Sequence, residues 1–199
     1  MEMLHNLQGL VMSGGKSSRM GTDKGLLVHK NKIWAQWAFN KLSSVCDGVS
    51  ISINPQQTSS YLPHFEKNIL LVDDILDIGP LGGLLTFHQN FPQHDVMVLA
   101  TDFLDITEQL LLQLKQAYLT HNDYNAYLFV SDQYTQPLIA IYKSTFLNQI
   151  ATQYQHNTLS TFSLISLVES TDTFYIDVPY YFLPLFTNYN FPSDIKNSI

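Results

Sequence analysis

Arg19 is the only arginine among 199 residues, and it stands within Ser13-Gly14-Gly15-Lys16-Ser17-Ser18-Arg19-Met20-Gly21-Thr22-Asp23-Lys24. Glycine lets a backbone approach a ligand closely and aim its N–H groups at phosphate oxygens. A guanidinium adds a bidentate fork, and an ammonium adds a movable point charge. Glycines, hydroxyls and cations together are the chemistry of a loop that holds a polyphosphate. The string is not a P-loop, which needs Gly-Lys-Ser/Thr after a fixed gap. It is not the dinucleotide fingerprint either, because Gly14, Gly15 and Gly21 have the wrong spacing.

A nucleoside triphosphate arrives with magnesium, which takes hard oxygen ligands and keeps several waters, so one or two carboxylates suffice. Asp102 is the best placed, directly after the apolar run Asp95–Ala100 and Thr101. Asp73 and Asp74 are adjacent, so in extended chain they point opposite ways, and spacing does not choose between them. Asn54 closes another apolar run. The seven histidines show no metal-ligand spacing, and Ser17, Ser18 and Thr22 have no nearby histidine–acid partner to make them nucleophiles. The aromatic-rich stretch from Tyr175 to Tyr189 reads as core packing or an interface before it reads as a stacking platform.

Elements that alternate strand with helix must position these groups. Leu7–Met12 reads as a strand, followed by the glycine loop and a short extended piece at Leu26–Val28. Ile33–Val45 is amphipathic, with Trp34, Trp37, Ala38, Leu42 and Val45 near one face. Gly48–Ile53 and Ile69–Val72 read as strands, the first stopped by Pro55. Gly79-Pro80-Leu81-Gly82-Gly83 opens a helix to Gln89, Asp95–Ala100 is a buried strand, and Thr107 caps a helix to Leu119. Tyr127–Val130 and Leu138–Tyr142 are expected to pair, with helices over Ser144–Gln155 and Thr158–Val168. Phe174–Val178 is expected as a late strand and Phe186–Asn190 as an extended segment. The pattern predicts one α/β domain over residues 1–199, a mostly parallel twisted sheet with helices on both faces, Rossmann-like. In such a sheet ligands bind beyond the carboxyl ends of the strands, where the candidate residues fall.

The net charge of −7 argues against a nucleic-acid-binding face. Five of the ten basic residues nevertheless fall in one island (Lys16, Arg19, Lys24, Lys30 and Lys32), an arrangement suited to a small anion. His29-Lys30-Asn31-Lys32 is turn-like, so Lys30 and Lys32 fit a solvated turn. The single cysteine, Cys46, excludes an internal disulfide. With no apolar run long enough for a bilayer and no secretory layout at the amino terminus, the expected setting is the cytoplasm, without membrane partners.

The string Gly-Gly-x-x-x-Arg-Met-Gly-x-Asp-Lys resembles that of nucleotidyltransferases acting on small phosphorylated acceptors, most closely molybdenum cofactor guanylyltransferase. That family's loop reads Leu-Ala-Gly-Gly-x-x-x-Arg-Met-Gly-x-Asp-Lys, and positions 12–24 match it apart from Met12-Ser13. Further similarity lies at Ser52-Ile53-Asn54, at Val72-Asp73-Asp74 before Gly79-Pro80-Leu81, at Asp102, and in the tail Phe186-Thr187-Asn188-Tyr189-Asn190-Phe191-Pro192-Ser193-Asp194.

The resemblance implies GMP transfer from Mg2+-bound GTP to the terminal phosphate of molybdopterin or its metal-bearing form. Met12, Ser13, Gly14, Gly15, Lys24, Asn54, Asp74 and Asp102 would contact the nucleotide, with Asp102 on the metal. Arg19, Lys24 and Asp102 would be catalytic, Asn188 and Asn190 would face the pterin, and apo-molybdoenzymes or other cofactor-synthesis proteins are the implied protein partners. The chain departs from the family pattern at Ala100-Thr101, which replace Pro-Cys, and at Gln136-Pro137, in place of His-Pro. Few cations follow position 67 to receive an acceptor phosphate. The alternatives are a sister transferase using CTP or a sugar or corrinoid phosphate, and a nucleotide-binding adaptor without turnover.

Overall fold

The computed structural model describes residues 6–14, 23–131, 134–190 and 194. The strands and helices run, in chain order, β1 (Leu7–Met12), β2 (Val28–His29), β3 (Lys32–Ile33), α1 (Trp34–Ser43), β4 (Gly48–Ile53), α2 (Thr58–Tyr61), β5 (Leu70–Val72) and α3 (Pro80–Asn90). There follow β6 (Asp95–Ala100), α4 (Glu108–Thr120), β7 (Ala126–Ser131), β8 (Tyr134–Tyr142), α5 (Ser144–Gln155), α6 (Leu164–Glu169) and β9 (Thr173–Asp177).

Seven strands form one sheet in the order β5-β4-β1-β6-β8-β7-β9. β1, β4, β5 and β6 run parallel, β8 runs against both of its neighbours, and β9 is parallel to β7. β1 and β6 are apolar almost throughout and buried, as strands covered on both faces must be. Residue parity shows the two covers. A Cβ at Gly9 would meet Leu42 of α1 at 3.1 Å, whereas Gly83 of α3 lies against Met12. Positions 9 and 12 point to opposite faces of β1. α1 and α4 therefore pack together on one side, and α3 packs with α5 on the other.

From β1 the chain winds outward through β4 and β5, then returns past β1 to β6. That reversal opens a crevice at the carboxyl ends of β1 and β6. Met12 and Ala100 are register partners at the last rung, so the loops beginning at Ser13 and Thr101 leave the sheet at one level.

Most expected elements form, with three corrections. Residues 24–26 make a 3-10 turn rather than the extended piece expected to begin at Leu26, and Val28 starts a small hairpin. Lys30 and Asn31 turn that hairpin with φ of 47° and 63°. The helix expected over Thr158–Val168 is only Leu164–Glu169. Asn157, at φ 55°, ends α5, Thr158 N–H closes back on Gln153 O at 2.9 Å, and Ser163 caps the new start. Phe186 ends a run of 3-10 turns, Tyr180–Phe186, with Pro184 inside it, instead of starting an extended segment. Among the described residues no helix is long and apolar enough to cross a membrane.

Candidate nucleotide site

The crevice floor is built from three strand ends. Ser13 N–H and Gly14 N–H both donate to Ser52 O, at 3.1 and 2.9 Å, and Thr101 N–H donates to Met12 O at 3.3 Å. The amides of Ser13 and Gly14 are thus spent on the sheet. Gly15 and Arg19 lie outside the described residues.

Ser52 Oγ donates to Asp73 Oδ1 at 2.8 Å and reaches Oδ2 at 3.0 Å, and Asp73 N–H extends the sheet to Ile53 O at 2.8 Å. The Asp73 carboxylate is 8 % exposed and lies directly under the loop, where a Cβ on Gly14 would come within 2.7 Å of Oδ2. Only a residue without a side chain fits this approach. Burial pushes the Asp73 carboxyl up to about 6, against the Ser52 hydrogen bond that favours its charged form and with a smaller push from neighbouring Asp74. Asp74 is exposed and turns to α3, where Thr86 Oγ1 donates to its Oδ1 at 2.8 Å. The two acids do point opposite ways: Asp73 faces Gly14, and Asp74 faces Thr86.

Asn54 caps the 3-10 turn Pro55–Gln57. Its Oδ1 accepts from Gln57 N–H at 3.1 Å, while its own N–H donates to Gln57 Oε1 at 2.7 Å. The Asn54 amide thus stands at the rim, with its carbonyl end occupied.

Across the crevice, Lys24 Nζ lies 3.3 Å from Asp102 Oδ2 and 2.8 Å from Asn190 Oδ1. Asp102 is brought there by the loop after β6, which is held from two sides. Tyr189 N–H donates to Asp102 O at 2.9 Å, and the Tyr189 hydroxyl donates to Asp105. On the other side Lys41 Nζ donates to Leu104 O, and burial pulls its ammonium down to about 8, opposed by the charges of Asp105 and Glu108. Asn190 follows Tyr189 and is exposed, as is Asn188.

The second oxygen of Asp102, Oδ1, is buried without a hydrogen-bond partner. A buried carboxylate oxygen left unpaired is costly, and a bound cation is one arrangement that would satisfy it. Among the described residues no three His, Cys, Asp or Glu groups cluster as a metal cage. One hard oxygen beside an open crevice instead fits a cation that takes its remaining ligands from phosphate and water.

The structure thus brings Met12, Ser13, Gly14, Lys24, Asn54, Asp102 and Asn190 around one crevice, with Asp74 at the β5 end. Sequence reasoning named Ser52 only as part of the Ser52-Ile53-Asn54 strand end, and it missed Gln57 and Tyr61. The only hint was their place at or just after strand β4, the element already flagged by Asn54.

The family model described as MobA-like NTP transferase domain matches residues 9–169. The molybdenum cofactor guanylyltransferase of Campylobacter jejuni subsp. doylei is 30% identical over 145 residues, 71% of each chain. A molybdenum cofactor biosynthesis bifunctional protein of Synechocystis sp. is 34% identical over 114 residues, 55% of this chain but only 32% of that longer protein. Among solved structures, molybdopterin-guanine dinucleotide biosynthesis protein A from Archaeoglobus fulgidus superposes with a TM-score of 0.74 at 19% identity, covering 95% of both chains.

Proposed function

The chain belongs to the MobA-like NTP transferase family, and from that premise we propose that it transfers GMP from GTP to the terminal phosphate of molybdopterin or the molybdenum cofactor. The observation that carries this reading is Lys24 held between Asp102 and Asn190, so that a cation from the glycine string meets a carboxylate and a tail amide at the switch point of the sheet. An oxygen of the acceptor phosphate attacks the α-phosphorus, the bond from that phosphorus to the bridging β-oxygen breaks, and pyrophosphate leaves. The nucleophile is already an anion at neutral pH, so the protein's task is positioning and charge neutralisation.

Lys24 moves from Asp102 to the α-phosphate and offsets the charge that builds there. Arg19, within the glycine string, neutralises the departing pyrophosphate. Asp102 is the residue that would hold Mg2+, and its unpaired Oδ1 supports that role. When bound, magnesium neutralises phosphate oxygens as a Lewis acid. Ser13, Gly14, Asn54 and Asp74 take the nucleoside end, with Met12 beneath, and the Asn54 side-chain NH2 is the donor that its cap leaves over. Asn188 and Asn190 face the acceptor, whose product would pass to apo-molybdoenzymes. Because the reaction consumes a nucleoside triphosphate, the proposed setting is the cytoplasm, with residues 1–199 acting as a single catalytic domain.

Calorimetric titration with GTP, ATP and CTP, each with magnesium, tests this reading. GTP-selective binding is expected, and weakening it by Asp102→Ala links nucleotide to metal. CTP preference would transfer the assignment to a sister activity. No binding would overturn it.

A further inference from the structure

Ser13 opens the glycine string and Asp23 stands one residue before its end, and one short segment, Asn54 to Tyr61, grips both. Gln57 Nε2 donates to Ser13 O at 3.1 Å and to Asp23 Oδ2 at 2.5 Å. Its other side-chain atom, Oε1, accepts from Asn54 N–H, so the whole carboxamide is committed. The Tyr61 hydroxyl donates to Asp23 Oδ1 at 3.1 Å and shares a hydrogen bond with Ser13 Oγ. Asp23 Oδ1 also accepts Gly25 N–H at 2.9 Å, which sets the turn that carries Lys24. The fit is close: a Cβ at Gly25 would stand 2.1 Å from the Tyr61 hydroxyl and 2.2 Å from Ser13 Oγ.

We infer that Gln57 and Tyr61 are positioning residues for the nucleotide: by tying Ser13 to Asp23 they fix where Lys24 stands relative to the carboxyl end of β1. This rests on the nucleotidyl-transfer reading above. The physical ground is geometric: hydrogen bonds are directional, and four of them converge on Ser13 and Asp23. What the polar set supplies is direction. Each bond fixes one loop end to the same rigid turn, and Lys24 follows Asp23 in the chain. Neither residue reaches the reacting atoms. Their effect passes through Lys24, whose ammonium is matched to the phosphate chain of the nucleotide rather than to its base or ribose. Burial, aided by the charge of Asp23, keeps the Tyr61 phenol far above its ordinary range, so it remains a neutral donor at any working pH.

The test compares Mg·GTP with guanosine, which has no phosphate for Lys24 to meet, on the purified full chain, using Tyr61→Phe and Gln57→Ala, with thermal melts alongside. Tyr61→Phe keeps the ring, and Gln57→Ala alters a half-buried turn residue, so the pair guards against a variant that fails to fold. Expected for both is a loss in GTP affinity of about tenfold, in line with removing a hydrogen bond to a charged group. Guanosine affinity should change less than about twofold. The ratio of the two affinities is the readout, because a merely structural pin would lower the melting temperature without moving it. An unchanged ratio in both variants, with wild type binding GTP, overturns the positioning role alone. Wild type binding neither GTP nor guanosine overturns it together with the reading beneath it.

Discussion

Lys24 Nζ and Asp102 Oδ2 stand 3.3 Å apart although 78 positions separate them in the chain. The glycine string after β1 carries the lysine, and the loop after β6 carries the aspartate. The parallel β1–β6 register ends both strands level, so the charges meet. Their side chains are 23% and 16% exposed, so the pair is partly screened and contributes on the order of 0–1 kcal/mol to stability. Lys24→Ala should therefore cost little in thermal midpoint while lowering kcat on the order of 10²–10³, the usual loss for one donor aimed at developing charge. Melting curves and steady-state rates on one preparation decide it; parallel losses of stability and rate would remove Lys24 from the chemistry.

Asp102→Ala should separate stability from function in the same sense, with binding as the readout. It removes a carboxylate oxygen that is buried without a partner, a group whose burial costs about 1–3 kcal/mol. The melting temperature should hold or rise. Magnesium-dependent affinity for GTP should drop at least about tenfold, as loss of a group held for a ligand predicts. Calorimetry with and without magnesium checks both halves; a variant that binds Mg·GTP like wild type would leave the orphan oxygen without a function.

Asp73 makes stability depend on pH in an unusual direction. Its carboxyl is raised from 3.8 to about 6, so between those values the folded protein holds a proton that the unfolded chain has released. Stability from this group is fully present below the unfolded value and is lost as pH rises through about 6. The full shift corresponds to roughly 3 kcal/mol. Asp73→Asn should raise the melting temperature at pH 8 more than at pH 4.5 and flatten the wild-type decline between them. If the two proteins keep parallel pH profiles, Asp73 is not the titrating group.

Much of the candidate site's layout was readable in the residues because its candidate groups sit at strand ends. Apolar runs stop at Met12, Ile53 and Ala100, and the polar residues that follow them face one crevice. The choice between Asp73 and Asp74 was not readable. It depends on which N–H joins β4, and the bond from Asp73 N–H to Ile53 O sets the parity. Gln57 and Tyr61 stayed hidden for another reason. Pro55 marks where a strand stops, but the 3-10 turn that brings both residues back to Ser13 comes from the reciprocal Asn54–Gln57 cap, a local geometry without periodicity. The unexpected break over residues 158–163 likewise follows from a single left-handed Asn157.

A close contact between fold and site is tested at Gly14. An alanine there would place Cβ 2.7 Å from Asp73 Oδ2, and the carboxylate has little room to yield because Ser52 holds both oxygens. Overpacking of this kind costs about 1–3 kcal/mol. Gly14→Ala should lower the melting temperature accordingly and weaken Mg·GTP binding about tenfold by lifting the loop from the floor. A second change separates these effects. Asp73→Ala removes the clashing oxygen, so the double variant should recover the lost stability. Nucleotide affinity should stay low, because the side chain that lies beneath the loop is gone. Recovery of stability and affinity together would mean that Asp73 only obstructs; recovery of neither would mean that the loop is held by Ser52 O alone.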